Sequence, residues 1–197
     1  ALVLYLADAL DRKGAGIHRF AHGVLPLLVV TGVASGLVLV QPDLGTAIVM
    51  GAVAMLLLVV AGARRRHLAG VFAVAAVAVI VLIAGAEYRR ARWLAFLNPW
   101  QDPQGSGYQI LQSYFALASG GLLGRGLGGS LQKLLYLPGA HTDFLFAILG
   151  EELGLLGTTL TLGLFGLLLA CGLRIATALE DPFGKYLVCG FLYRVQS

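Results

Sequence analysis

The chain has 197 residues, of which 58% are apolar and a further 27 are glycine, so about seven in ten carry no polar side-chain group. Charged residues make up 12%, about half of the share found in soluble domains. This composition argues against a soluble enzyme and a disordered segment. The net charge of +4 lies in short clusters between apolar runs, which argues against a nucleic-acid-binding protein. The composition is typical of a polytopic membrane protein.

Apolar runs divide the chain into membrane spans. Crossing the hydrocarbon core of a bilayer takes roughly 20 apolar residues in a helix. We predict four full spans and two partial ones, the partial ones because the chain begins with Ala1 and stops within an apolar stretch, as a piece of a longer protein would. The full spans are residues 20–42, 44–63, 68–86 and 153–173, the last extending back to Phe144, and the partial spans are residues 1–10 and 186–197. All are predicted to be helical, because lipid cannot satisfy an open strand edge.

The positions of arginine and lysine predict the orientation of the spans. Clusters at residues 12–19, 64–66 and 174–185 alternate correctly if all three face the cytoplasm. We therefore predict a single membrane domain over residues 1–197, with a large extracytoplasmic loop at residues 87–143. The triple arginine at 64–66 marks topology, with contact to anionic lipid headgroups as the alternative.

The predicted outer loop is the least lipid-like part of the chain. It begins with a basic aromatic stretch that contains Arg92. A semi-apolar stretch over residues 108–119 follows, with Gln109, Gln112 and Ser113 on one side. We predict a helix there that lies in the membrane interface or dips partway into it. Six glycines follow between residues 120 and 129.

Two minor motifs receive structural interpretations. Gly124, Gly126 and Gly129 have the spacing of a dinucleotide fingerprint, but no strand precedes them. We interpret this stretch as a flexible or closely packed turn. Cys171 and Cys189 lie in apolar runs without a metal-binding pattern, and we expect both to be small buried hydrophobes.

Two aspartates are predicted to emerge on the outer side. Asp43 follows a proline between two spans, where it can cap the helix that begins at residue 44, face a cavity, or do both. Asp143 stands beside His141 and Thr142 at the mouth of the fourth span. It can likewise cap a helix, and its place next to a glycine-rich surface loop also makes it a candidate general base.

Two further carboxylates lie inside the apolar run of the fourth span. Glu151 and Glu152 are costly there and are expected to face protein or a wet cavity. Since adjacent helical residues point about 100° apart, we do not expect both to face the same cavity. One of them is expected to pair with a basic residue from a span outside this chain.

Three separated motifs resemble those of one protein family. The stretches 41–47, 107–113 and 140–154 are similar to the signatures of the SEDS family (shape, elongation, division and sporulation), the FtsW/RodA/SpoVE proteins. The run at 127–133, followed by residues 136–138, is more similar to the FtsW and SpoVE members than to RodA. Gly139 stands where the family usually has glutamate.

The resemblance implies an all-α, polytopic bundle of about ten helices in the full protein. It implies a peptidoglycan glycosyltransferase of the bacterial plasma (inner) membrane that polymerises lipid II on the extracytoplasmic side, during cell division or elongation, with inversion and release of undecaprenyl pyrophosphate. Implied partners are a class B penicillin-binding protein, other proteins of the division or elongation complex, and membrane lipid. A lipid II flippase and a division scaffold are the alternatives.

The resemblance also suggests roles for particular residues. Asp143 matches the essential acid of the large outer loop and is the expected catalytic base. The expected substrate-binding residues are Asp43, Arg92, Gln112, Ser113, Lys133 and His141, with Arg92, Arg125 and Lys133 as the cations available to the leaving pyrophosphate. A divalent cation, Mg²⁺ or Mn²⁺, is left open as a cofactor, with its ligands unknown.

Overall fold

The structure is a computed structural model that describes residues 1–41, 43–126, 128–129 and 145–196, and this part of the chain is helical without strands. Short 3₁₀ turns cover Gly14–His18 and Pro99–Gln101, and a π-helical turn, Phe20–Val24, leads into the second helix. The helices are α1 (Leu2–Lys13), α2 (Leu25–Val40), α3 (Leu44–Val60), α4 (Arg65–Ala84), α5 (Glu87–Leu97), α6 (Tyr108–Gly120), α7 (Leu145–Ala178) and α8 (Pro182–Gln196). The all-α prediction is confirmed.

Helices occupy all four predicted full spans. Within the described residues, three stretches are long and apolar enough to cross a membrane: Phe20–Val40, Arg65–Ala84 and Leu145–Ala178. The helix at the remaining predicted span, α3, has 17 residues and therefore reaches about 25 Å, near the lower limit for a spanning helix. The helices extend past the charge-free runs, since α4 begins at Arg65 and α7 continues through Arg174.

The chain folds into two compact units, one of residues 1–80 with 167–197 and the other of residues 81–166. In the first unit, α1 and α3 both contact α8, and α2 contacts α3. Large aliphatic side chains fill the space between these helices, and the most buried are Leu6, Leu10, Ile17, Val24, Leu27, Leu57 and Leu58. Outward positions of α2, such as Leu37, are also apolar and exposed, as expected for a surface in contact with lipid.

The second unit contains α5, α6 and the first part of α7. Between α5 and α6 the chain turns at Asp102, whose carboxylate accepts hydrogen bonds from the backbone N–H groups of Gly105 (3.0 Å) and Ser106 (2.7 Å). These bonds, above all those from Ser106, lower the pKa of Asp102. Gly107 has to be glycine here, because a Cβ would collide with the carbonyl oxygen of Pro99. The turn fixes where α6 begins.

The two cysteines have different surroundings. Cys189 is buried in the core of the first unit, as predicted. Cys171 is exposed on α7, so the prediction that both are buried is wrong for this residue. An apolar residue in a membrane helix can face lipid as readily as a protein interior, and an apolar run alone does not separate the two cases.

Candidate functional site

The polar side of α6 faces inward. Gln109, Gln112 and Ser113 are half-buried, and the three- and four-residue spacing of a helix places them on the same face as the buried Ala116 and Gly120. The outward face carries exposed apolar side chains, including Tyr114 and Phe115. Polar residues inside and apolar residues outside are the opposite of a soluble amphipathic helix, and this arrangement supports contact between α6 and lipid.

The hydroxyl of Ser113 already has a partner. It donates to the backbone carbonyl of Ile110 at 2.7 Å, which leaves the oxygen able to accept but not to donate. Gln112 is half-buried beside it on the same face. A ligand at this face would therefore meet a hydroxyl acceptor and an amide.

Helix α7 is broken near its start. Gly154 has φ 65° and ψ −161°, so the nine residues Leu145–Leu153 form one helical segment and Leu155–Ala178 another. Only glycine adopts such a backbone conformation readily. The break removes the usual hydrogen bonds across it, and in a membrane those groups need other partners.

The glycine-rich loop after α6 supplies these partners through four backbone hydrogen bonds. The N–H groups of Arg125 and Gly126 donate to the carbonyl oxygens of Glu151 and Glu152, each at 3.0 Å. In the other direction, the N–H groups of Leu155 and Leu156 donate to the carbonyl oxygens of Gly121 (2.9 Å) and Leu122 (3.2 Å). The loop and the broken helix thus complete each other.

Glycine is needed for this close approach. A Cβ at Gly120 would collide with the carbonyl oxygen of Gly150, and one at Gly124 with that of Glu152. Gly124 and Gly126 also have φ of 79° and 92°. The interpretation of this stretch as a closely packed turn is confirmed, and the glycine spacing reflects packing of backbone on backbone.

The same loop places a cation against a buried carboxylate. Nη1 of Arg125 lies 3.4 Å from Oε1 of Glu151, whose side chain is 1% exposed, whereas that of Arg125 is 41% exposed. Glu151 therefore has a basic partner within this chain, because the glycine-rich loop folds back onto the break in α7. The expectation that one glutamate of the pair meets a basic residue from a span outside this chain stays a prediction, and it now falls on Glu152.

Glu152 differs from its neighbour. Its Oε1 is buried and has no hydrogen-bond partner among the described residues.

Beside the break there is a cleft of about 130 Å³, and its lining residues are Leu117, Gly121, Gly150, Gly154, Leu155 and Thr158. Binding sites for small molecules usually have roughly 300–1,000 Å³, so this cleft by itself is too small for a disaccharide headgroup.

Asp43 in the first unit caps α3. Its Oδ1 accepts a hydrogen bond from the backbone N–H of Thr46 at 2.9 Å, as the capping prediction requires. Hydrogen bonds from the side chain and backbone of Thr46 lower the pKa of Asp43. A carboxylate with a lowered pKa is a weak base, so Asp43 is better suited to binding a polar group than to removing a proton.

Arg92 is exposed on α5 and has no hydrogen-bond or ion-pair partner among the residues that the structure describes. It lies next to Trp93, which stacks on Phe96 with ring centroids 6.2 Å apart. Exposed aromatic and arginine side chains together are typical of the membrane interface, where phosphate groups are found.

Three of the predicted site residues, Lys133, His141 and Asp143, lie outside the described residues. Asp43 belongs to the first unit, and Arg92, Gln112 and Ser113 belong to the second. Within the described ranges, no three His, Cys, Asp or Glu side chains come close enough together to hold a metal ion. The described carboxylates therefore do not form a metal centre by themselves.

Sequence reasoning missed the pairing of Arg125 with Glu151. The available signal was a carboxylate within an apolar run, which needs a partner, together with an arginine flanked by glycines that allow a close approach. The two residues are 26 positions apart in the sequence, and only the tertiary fold brings the loop back to α7, so the pair could not be predicted from spacing.

The helices, the inward polar face and the ion pair inside a broken span define a polytopic membrane protein with a polar centre. Comparison with known proteins identifies the family: the FtsW/RodA/SpoVE model, described as a cell cycle protein, matches residues 1–196. The chain belongs to this family.

Individual relatives are similar along nearly the whole chain. A probable peptidoglycan glycosyltransferase FtsW from Geobacter metallireducens is 42% identical over 98% of this chain and 51% of its own length. Stage V sporulation protein E from Bacillus subtilis is 43% identical over 98% of this chain and 52% of its own length. The chain thus spans about half the length of the curated relatives it matches.

A solved structure agrees with the fold. One chain in a structure described as the structural coordination of polymerization and crosslinking by a peptidoglycan synthase complex has a TM-score of 0.73 and 34% identity to this chain. The match covers 99% of this chain and 53% of the other.

Proposed function

We propose that the protein containing this chain is a peptidoglycan glycosyltransferase that polymerises lipid II. The observation that carries the proposal is the family match over residues 1–196, together with relatives at 42–43% identity, one of them named as such an enzyme. The inward polar face of α6 and the ion pair in α7 support it, because a membrane span keeps buried polar groups at a cost.

In the proposed reaction, the 4-hydroxyl of one sugar attacks the anomeric carbon of another sugar and displaces undecaprenyl pyrophosphate. An alcohol is a poor nucleophile at neutral pH, and a carboxylate that takes up its proton typically contributes about 10²–10⁴ in rate. We assign this role to Asp143. An α-linked donor that gives a β-linked product requires a single in-line inversion, so no covalent sugar–enzyme intermediate forms.

The leaving pyrophosphate needs nearby positive charge as its bond to the sugar breaks. Of the candidate cations Arg92, Arg125 and Lys133, Arg92 is exposed, whereas Arg125 lies against Glu151. We therefore assign pyrophosphate contact to Arg92, with Lys133 as the second cation. Gln112, Ser113, His141 and Asp43 are assigned to hydrogen bonds with the headgroup.

The proposed setting is the bacterial plasma membrane, with the site on the extracytoplasmic side in the large loop, residues 87–143, of a single membrane domain. The proposed partner is a class B penicillin-binding protein, along with other division or elongation proteins. The similar chain in a structure of polymerization and crosslinking by a peptidoglycan synthase complex supports this partnership.

The test uses the full-length protein with its transpeptidase partner in detergent, with labelled lipid II as substrate. We expect wild type to make glycan chains and Asp143→Asn to make none, because asparagine keeps the size of the side chain without its basic oxygen. Asp102→Asn is the matched control, since Asp102 belongs to the same predicted loop, asparagine is common in such turns, and its single oxygen can still accept one of the two backbone hydrogen bonds.

The outcomes separate the functions. Chains from Asp143→Asn would contradict the assignment of the base. Wild type that makes no chains in detergent, but moves lipid II across vesicle membranes, would favour a flippase. Wild type that does neither would favour a scaffold.

A further inference from the structure

Two basic segments that are far apart in the sequence lie side by side in the first unit. One covers residues 13–22 and the other residues 64–67. The ring of Phe20 meets the ring of His67 edge-on, with the two centroids 5.4 Å apart. Both segments also adjoin the same buried apolar cluster. The fold therefore brings together cations that hydropathy and charge patterning assign to separate loops.

The cations of these segments retain a positive charge that α1 does not neutralise. We call them the basic cluster, which consists of Lys13, Arg19, Arg64, Arg65 and Arg66. Its four arginine side chains are exposed and have no hydrogen-bond or ion-pair partner within the part of the chain that the structure describes. The ammonium group of Lys13 donates to the backbone carbonyl of His22. Of the acids on α1, Asp8 already binds Arg12 at 3.0 Å, which leaves only Asp11.

The basic cluster lies where two membrane spans begin. The stretches Phe20–Val40 and Arg65–Ala84 are both long and apolar enough to cross a membrane. Their first residues meet through the contact between Phe20 and His67, so both spans start from the same end of the first unit. The cations therefore lie at the level where a bilayer carries its phosphate groups. The distribution of arginine and lysine predicts that this is the cytoplasmic face.

Exposed apolar side chains continue from the basic cluster along both spans. Leu25 and Val29 of α2 are exposed, and their spacing of four residues places them on one face of the helix. Phe72 of α4 is exposed two helical turns after Arg65, on the same face. A ligand with an anionic headgroup and apolar chains would meet cations at one end and apolar surface along its length.

We propose that the basic cluster binds the headgroup of an anionic phospholipid, whose acyl chains lie along the exposed faces of α2 and α4. The triple arginine then does more than mark topology, since it forms one site with the segment 13–22. This inference goes beyond the proposed function. The site belongs to the first unit and uses no residue assigned to glycan synthesis.

The chemistry of the two surfaces favours a phospholipid over a soluble anion. Guanidinium groups donate paired hydrogen bonds to phosphate oxygens. Each arginine or lysine near an anionic membrane surface strengthens binding by about fivefold. A soluble phosphate would meet the same cations but would leave the apolar faces of α2 and α4 unused, whereas a phospholipid uses both.

The experiment measures lipid binding to the full-length protein in detergent by native mass spectrometry. The probes are phosphatidylglycerol, which is anionic, and phosphatidylcholine with the same acyl chains. The variants are Arg19→Gln and Arg65→Gln, one from each basic segment, together with Arg65→Lys. Arg174→Gln is the matched control, because Arg174 is an exposed arginine of α7 that is predicted to lie at the same membrane face.

We expect wild type to bind phosphatidylglycerol at least about tenfold more tightly than phosphatidylcholine. Arg19→Gln and Arg65→Gln should each weaken phosphatidylglycerol binding by about fivefold, and the double variant by about 25-fold, because both side chains contact one headgroup. Arg65→Lys should retain most of the affinity, since it keeps the charge. Arg174→Gln should stay within about twofold of wild type.

Photocrosslinking of the wild type tests the site without a substitution, in case a variant does not fold. A phosphatidylglycerol that carries a photoreactive group on its headgroup should label peptides that cover residues 13–22 and 64–67. Phosphatidylcholine with the same group should label them much less. Labelling confined to other peptides would overturn the proposal.

Four binding results would also overturn it. Equal losses in Arg174→Gln and Arg65→Gln would indicate diffuse attraction of charge to charge. Unchanged binding in Arg19→Gln would indicate that the triple arginine acts alone. Equal affinity for the two lipids would indicate contact with acyl chains only. Displacement of phosphatidylglycerol by an equal concentration of glycerol phosphate would indicate a site for a soluble anion. Activity on lipid II enters none of these measurements, so the site and the proposed function can fail separately.

Discussion

Each of the two units of this chain is stabilised internally by a different kind of interaction. In the first, large aliphatic side chains such as Leu10, Leu27 and Leu57 are almost fully buried between four helices. In the second, glycines bring backbone against backbone, four hydrogen bonds cross between a loop and a broken helix, and one ion pair is buried with them.

The two kinds of packing differ in how well they tolerate a substitution. Interdigitated side chains give a rigid packing that tolerates changes of shape at modest cost. Backbone contacts through glycine leave no room for an added atom. They also hold polar groups at defined positions within the apolar membrane. The first unit is thus stabilised mainly by packed apolar side chains, and the second by close backbone contacts around a buried ion pair.

The largest effect is expected from Gly120→Ala. The new Cβ would collide with a backbone oxygen, which cannot move aside as a flexible side chain can, and we expect a loss of about 3 kcal/mol, the upper end of the range for overpacking. Thermal unfolding in detergent measures it. Gly163→Ala is the control, because open space surrounds that position. Equal effects at both positions would remove the special role of backbone contact.

Leu57→Ala should come next and should affect stability alone. Lipid solvates apolar groups as well as a protein core does, so the cost is mainly lost packing, about 2 kcal/mol. We expect a lower melting temperature with an unchanged specific activity on lipid II. A change in kcat without a change in melting temperature would contradict a purely structural role for Leu57.

Gly62→Ala isolates backbone conformation from collision. Gly62 follows α3 with φ 75°, and a Cβ added there would meet no heavy atom within 4 Å. We expect a loss of about 1 kcal/mol from the left-handed conformation alone, measured in the same unfolding assay. A loss as large as that of Gly120→Ala would show that the left-handed conformation alone costs as much as a collision with backbone.

The smallest effect is expected from Asp43→Asn. Asparagine can still accept from Thr46, so the melting temperature near neutral pH should fall by a few degrees at most. The pKa of Asp43 is lower in the folded state than the ordinary value of 3.8, so its contribution is present above that value and is lost as the pH falls through the folded pKa.

The measurement is the melting temperature between about pH 6 and pH 3 for both proteins. At the acidic end, the melting temperature of the wild type should fall further than that of the variant. At position 43, aspartate takes up a proton there and asparagine does not. Parallel curves would show that the charge of Asp43 contributes nothing to the cap.

Much of the architecture could be predicted because the bilayer imposes it. Length and apolarity alone predicted the helices at all four full spans, and the Asp43 cap followed from its place before a helix start. The ends of the spans were less certain, since Arg174 lies within α7 although it ends the charge-free run. Long arginine side chains can reach toward the interface from within a helix.

The candidate site was predicted in part. The half-buried polar face of α6 was visible in the spacing of Gln109, Gln112 and Ser113, although its inward direction was not. The bond from Ser113 to Ile110 depends on the local helical geometry and also escaped the sequence. The roles of Asp143, His141 and Lys133 stay predictions from motif and family.

The lipid environment and the helical class of this protein follow from its composition, because an apolar chain in lipid must pair its backbone groups within helices. Only the folded chain shows that Arg125 meets Glu151, 26 residues further along the chain, and that a loop completes the broken span. Such contacts depend on where glycines allow two backbone segments to approach closely, and the hydropathy pattern of the sequence does not predict where that happens.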